Sequence, residues 1–297
     1  MSISLFDPLV LAILVAVIAT VLQRRLSPHV AAPTLAIASV AVAAAAAGAL
    51  FTMVLGALAA TPGLHDFLSW CPTLHHAEGN VSGWVGVAAA IVLSVALARV
   101  AVTLRSQRRT RLRLPTCEHG VLIIDSSQPT AYAVPGRNGG VVVSTGMIEA
   151  LEPPERAVLW AHERSHLAHR HHRYLVATEI AAAMVPPLRR LARQVQFATE
   201  RWADEDAARE VGGDRNLVAR AIARAALASV DHQRSAMALA ETGVGERVQA
   251  MVATPRGYLA PLLGFAVGLL VIGFSVAGLG VQLHHVVAFI DHACHVI

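Results

Sequence analysis

Four stretches of the chain run apolar and nearly free of charge, at 4–22, 33–60, 81–104 and 258–283. An α-helix needs about 20 residues to cross a hydrocarbon core of about 30 Å, so each stretch predicts a membrane span. The first carries Asp7, lacks a basic start and ends in Arg24-Arg25 where a cleavage site would need small residues. It therefore reads as a retained anchor. Between the third and fourth spans the pattern changes. Short β-like runs at 121–125, 130–134 and 141–144 surround the turn signal Arg137-Asn138-Gly139-Gly140. From Thr145 the period is helical: one helix opens at Pro153-Pro154 with Glu155 and runs through His172. An apolar run at 174–185, too short to span, stops at Pro186-Pro187, and further helices follow at about 188–211 and 216–240. The expected organisation is three spans in 1–104, an α+β domain in 105–257, and a fourth span with a short tail in 258–297.

Charge orients this arrangement. All 24 basic residues are arginine. Two sit in the 23–32 loop, 21 in 105–257, and Arg99 lies near the end of the third span. The N-terminus, the 61–80 loop and the tail after 283 hold none, which predicts a multi-pass protein of the plasma membrane with both termini outside and 105–257 in the cytoplasm. The run Arg105, Arg108, Arg109, Arg111 and Arg113 reads as a stop-transfer anchor against anionic lipid. No aromatic residues interleave with it, so no direct nucleic-acid binding is expected. Gly264 and Gly268 predict close helix contact in the fourth span, and the near absence of ionisable groups from the spans argues against an ion pathway. The lack of lysine excludes Schiff-base and Ser-x-x-Lys chemistry, and three cysteines are too few for a disulfide scaffold.

Candidate chemistry lies in His162-Glu163-Arg164-Ser165-His166. At about 100° per residue, His162 and His166 fall on one helix face, where two imidazoles share a zinc ion and Glu163 serves as general base on the attacking water. A catalytic zinc needs a third protein ligand. His172 stands where a metzincin would place it, but position 169 is His and not the Gly that lets the chain swing inward; on a continuing helix His172 faces away, and His169, His171 and His172 form a solvated basic end. The other source is Glu200-Arg201-Trp202-Ala203-Asp204, with Glu200 as ligand and Asp204, one turn on, holding the ring N–H of a liganding histidine. Glu205 and Asp206 read as solvated.

Ala131-Tyr132-Ala133, the run from Val141 to Gly146, Glu155, His162-Glu163-x-x-His166 and Glu200-x-x-Ala203-Asp204 together resemble the gluzincin membrane peptidases. Two families share that core, the HtpX/CAAX-protease family and the BlaR/MecR antibiotic-sensor peptidases. The HtpX type places two spans between the histidine pair and the third ligand, whereas here the gap holds one short apolar run. Three spans, a cytoplasmic insert and a fourth span resemble the BlaR/MecR type, but without its external penicillin-binding domain. The resemblance implies a zincin-like metallopeptidase domain with one Zn2+ on His162, His166 and Glu200. It also implies an edge strand at 141–144, including Val142, that pairs with substrate backbone, and an Arg247 in Glu246-Arg247-Val248 that braces the site or the substrate. A plain surface role for Arg247 is the competing reading, and His232 reads as structural or solvated.

Three functions follow as alternatives: a signalling protease acting on a cytoplasmic polypeptide, by family analogy a winged-helix repressor; a constitutive quality-control protease of the HtpX sort; and a catalytically inactive adaptor. The external segments also gather His65, His75, His76, His284, His285, His292 and His295 with Cys71 and Cys294. These ligand types suit zinc or copper, and an external metal ion and a Cys71–Cys294 disulfide are the two readings.

Overall fold

Small apolar residues without an interrupting charge favour long helices, and two dominate the computed structural model: α1, Pro28–Ala59, and α2, Gly83–Arg113. The structure describes residues 26–59, 83–117, 120–137, 139–233 and 243–253, with single positions at 17, 266 and 273. The expected spans at 4–22 and 258–283, the histidine-rich segments 61–80 and 284–297, and the side chain of His232 lie outside the described residues. Both long helices are apolar and long enough to cross a membrane. The third expected span does not stop at 104: the arginine run forms the last turns of α2, where Arg111 and Arg113 face the negative end of the helix dipole.

The insert begins with a three-stranded sheet of β1, Val121–Ile124, β2, Ala131–Val134, and β3, Gly140–Ser144. Its order is β1-β3-β2, with β1 parallel and β2 antiparallel to β3. The expected edge strand is therefore the central one. Every residue of β3 is buried, and Val142 lies between Leu122 and Tyr132, so its backbone is committed on both sides. Among the described residues, the strand with an edge free of β-pairing next to the helices is β2. Gly140 is required at the start of β3, because a Cβ there would meet the Gly120 carbonyl oxygen at 2.2 Å. At the other end Ser144 accepts hydrogen bonds from the Met147 N–H (3.1 Å) and the Thr130 N–H (2.9 Å), capping the short helix α3, Thr145–Ala150.

Five further helices follow: α4, Pro153–Ala168; α5, His171–Met184; α6, Arg189–Glu210; α7, Arg215–Gln233; and α8, Val244–Val252. A 3-10 turn, Pro186–Leu188, joins α5 to α6. Prolines in the first turn start α4, and the Glu152 N–H donates to the Glu155 carboxylate at 3.0 Å. Buried Glu155 also meets Arg224 of α7 at 3.0 Å, which makes it a structural residue.

The α5–α6 hairpin is laid along α1. Leu188 and Leu191 pack with Val42, Ala43 and Ala45; Val195 packs with Leu35, Ala36 and Ala38; Ala198 packs with Leu26, Ala31 and Ala32. The spacing of three to four residues makes this one apolar stripe of α6. A second stripe, Ala207 and Ala208, packs with Val158 and Ala161 of α4 and with α7 and α8. Held on two sides, α6 has its remaining face fixed in position, and that face carries Glu200 and Asp204.

Candidate active site

Helix α4 supplies His162, Glu163 and His166. The two imidazoles stand on one face with their Nε2 atoms 3.1 Å apart. Glu200 of α6 enters from the side, 3.4 Å from His162 Nε2 and 3.6 Å from His166 Nε2. All three ligand atoms lie within 4.8 Å of one another. A tetrahedral zinc with bonds of about 2.1 Å separates its ligand atoms by about 3.4 Å, so the donor set and its spacing fit this metal.

The supporting contacts explain why these atoms converge. Asp204, fully buried, lies 3.0 Å from His162 Nδ1. With Nδ1–H donating there, His162 Nε2 is left free to face the cluster. Arg247 of α8 donates to both Asp204 oxygens, from Nε at 2.8 Å and Nη2 at 2.7 Å, and its Nη1 lies 3.0 Å from Glu200. It is thus no surface arginine but the link between buried Asp204 and half-buried Glu200. Helix α8 is itself clamped: Arg215 donates to the carbonyls of Ala250 and Met251 and to Glu205.

Electrostatics separate the groups. Burial opposes charge on His162, but hydrogen bonds to Asp204 and Glu200 outweigh it and push its pKa up to about 10. His166 is pushed down to about 4 by burial and by the charge of His162. Burial would raise Glu200 and Asp204, yet His162 and Arg247 hold both below the usual carboxylate range. Glu163, at 8% exposure, is raised by burial, which suits a group that must take up a proton. In this state the His162 imidazolium and Arg247 balance the two ionised carboxylates; a cation bound between the Nε2 atoms would displace the His162 Nε2 proton and leave two carboxylates against one guanidinium.

The turn after α4 departs from expectation. The helix ends at Ala168, and Arg170 adopts φ 54, so the chain reverses and α5 starts at His171. The solvated basic end is therefore dismantled. His171 is fully buried, with its Nδ1 3.0 Å from His166 Nδ1 and its pKa pushed down to about 3 by burial, then by His166 and His169. Because His166 Nε2 faces the cluster, its Nδ1 carries the proton and donates to neutral His171. His171 is to His166 what Asp204 is to His162. His169 pairs with Asp206 at 2.8 Å, and Ser165 donates to the same carboxylate at 2.6 Å. Asp206 and Glu205 are both partnered within the fold, contrary to the solvated reading. His172 turns into the cleft.

That cleft, about 310 Å³, is lined by Ala131, Tyr132 and Ala133 of β2 opposite His162, Glu163, His166 and Glu200. β3, paired on both sides, has no backbone left for an added strand, and β2 is the strand that borders the cluster.

Comparison with known proteins adds to this geometry. Residues 102–238 match Peptidase family M48. Over 75 residues the chain is 37% identical to a protein described as a protease HtpX homolog from Acidiphilium cryptum (strain JF-5), a match covering 24% of this chain and 26% of that protein. The chain thus spans about a quarter of the curated relative it matches. No solved structure matches. The M48 similarity covers β1 to α7, and with them the His162, Glu163, His166 and Glu200 cluster. Together the similarity, the cluster and the two apolar helices support a membrane-associated hydrolase of the metalloprotease class. Neither comparison bears on the BlaR/MecR resemblance.

Proposed function

We propose that the chain is an integral-membrane zinc endopeptidase. His162, His166 and Glu200 hold the metal, Glu163 is the catalytic base, and Asp204 and Arg247 position the ligands. The observation that carries this reading is the convergence of three residues of the right chemistry, whose ligand atoms lie within 4.8 Å of one another, with the buried Glu163 carboxylate beside them. A zinc ion held by them would supply water acidified towards a pKa of about 7 and a Lewis acid for the scissile carbonyl. Glu163 takes the proton of the attacking water and returns it to the leaving amine. Strand β2 aligns the substrate backbone across the cluster.

Residues 105–257 face the cytoplasm in this reading, between the third and fourth of four spans with both termini outside. The arginine distribution supports it. Substrates are then tethered or docked polypeptides near the inner membrane surface, and in the signalling reading the substrate is a winged-helix repressor. The 33 residues between His166 and Glu200 favour that reading over an HtpX-like one, because they form a hairpin whose first helix has 14 residues, short of a span. The quality-control reading rests on the HtpX match, and intact ligands and base favour either protease over an inactive adaptor. Metal analysis and a cleavage assay on purified protein test the chemistry. Glu163→Gln should keep one zinc per chain and lose proteolysis, whereas His162→Ala and Glu200→Ala should lose both. Full activity in Glu163→Gln would remove the base, and full zinc in Glu200→Ala the third ligand.

A further inference from the structure

A cleft of about 950 Å³, separate from the peptidase site, opens between α2, α5 and α6. One wall is a ridge of α2 made by Val95, Ala98 and Val102, and the facing wall carries Leu175 and Ala182 of α5. Three arginines enter it: Arg99 of α2, and Arg189 and Arg193, one turn apart on α6. None of the three meets a carboxylate among the described residues. The one acid at the cleft, Glu179, accepts a hydrogen bond from Gln107.

The height of this cleft along α2 indicates what fills it. Gln107 meets Glu179, and Arg111 lines a shared pocket with His172, so α5 runs antiparallel to α2 and its far end reaches Arg99. From Gly83 to Ala98 the helix carries no charge, while from Arg99 onward it is basic. Those first 16 residues measure roughly 24 Å, most of a hydrocarbon core. The tip of the hairpin, with Arg189, Arg190 and Arg193, therefore stands at the depth of lipid phosphates. An apolar wall continuous with a membrane helix, topped by uncompensated guanidinium groups, is complementary to one ligand class: acyl chains below and a phosphate diester above.

We propose that this cleft is a binding site for an anionic glycerophospholipid, whose headgroup phosphate is held by Arg99, Arg189 and Arg193 while its chains lie against Val95 and Ala98. The inference rests on α2 being a membrane helix and is independent of the zinc chemistry. Because α5 carries His171 and α6 carries Glu200, a lipid seated here braces the hairpin on which both stand.

The test is native mass spectrometry of the full chain in detergent, titrated with phosphatidylglycerol or phosphatidylcholine. Phosphatidylglycerol should be retained about tenfold more tightly, as expected for several arginines near an anionic surface. The triple substitution Arg99→Gln, Arg189→Gln, Arg193→Gln should erase that preference, and the triple change to Lys should keep most of it. Arg220→Gln, at an exposed position of α7, should leave it unaltered. Circular dichroism and gel-filtration profiles matching the unsubstituted protein keep folding separate from binding. Equal retention of the two lipids, or unchanged preference in the glutamine triple variant, would overturn the proposal. So would full displacement by millimolar inorganic phosphate, which marks a free-anion site. A photocrosslinker at Ala98 should capture lipid; capture of segment 258–283 instead would assign the cleft to the chain itself.

Discussion

The two imidazoles of the cluster are oriented by different partners, and this difference is measurable. His162 leans on a carboxylate that Arg247 holds, and His166 leans on the neutral ring of His171. Removing a hydrogen-bond partner behind a liganding histidine costs about 10–100-fold in metal affinity. His171→Leu should therefore weaken zinc binding by that factor in a chelator competition while preserving the helical content; unchanged affinity would reduce His171 to packing. Its Nε2 has no hydrogen-bond partner among the described residues, so the ring is retained at an energetic cost that packing alone would not require. Arg247 bears on stability as well. Arg247→Ala strips buried Asp204 of its guanidinium partner, a loss of about 3–5 kcal/mol for a broken buried pair, and should lower the melting temperature by on the order of 10 °C. Arg247→Lys should recover only part of it, because an ammonium cannot fork across one carboxylate and reach the other. Equal melting temperatures for all three proteins would contradict the bracing geometry.

At the scale of elements, the sequence exposes what repeats and hides what turns. His162, Glu163, His166, Glu200 and Asp204 were legible because helical spacing alone puts each pair on one face. The sheet's three strands were legible too, but not their order: a run of buried Val141, Val142 and Val143 announces burial, which belongs to a central strand as much as to a covered edge. The reversal at Arg170 left no signal, since a left-handed residue is normally glycine and here is arginine. Without that turn His171 could not be brought to His166, and Arg247, 43 residues beyond Asp204, lies too far along the chain for spacing to pair them. A left-handed conformation costs a non-glycine residue about 1–2 kcal/mol. Arg170→Gly should hence leave unfolding free energy unchanged or raise it by up to about 1 kcal/mol, net of the extra chain entropy of glycine, and Arg170→Val should lower it by about 1–2 kcal/mol. Denaturant titration of the purified protein reads both signs, and a destabilised glycine variant would argue against this turn.

At the scale of the molecule, the region similar to M48 peptidases is packed against the candidate spans. The first half of α1 is packed between α5 and α6, so the helix that bears Glu200 takes its position from a candidate span. A tilt of α1 would displace the helix that carries Glu200, as the proposed signalling role requires. The direction of that signal depends on orientation, and orientation is testable. Arginine accounts for every basic charge, and 23 of the 24 fall in the two loops assigned to the cytoplasm. A reporter active only outside the cell should stay dark when fused after Gly136 or Gly213, turns of the peptidase domain where both residues are exposed with positive φ and tolerate insertion. The same reporter placed within 61–80 should light up. The reverse pattern would turn the site and its β2 edge outward, exclude a cytoplasmic repressor as substrate, and leave the quality-control reading with substrates on the other face.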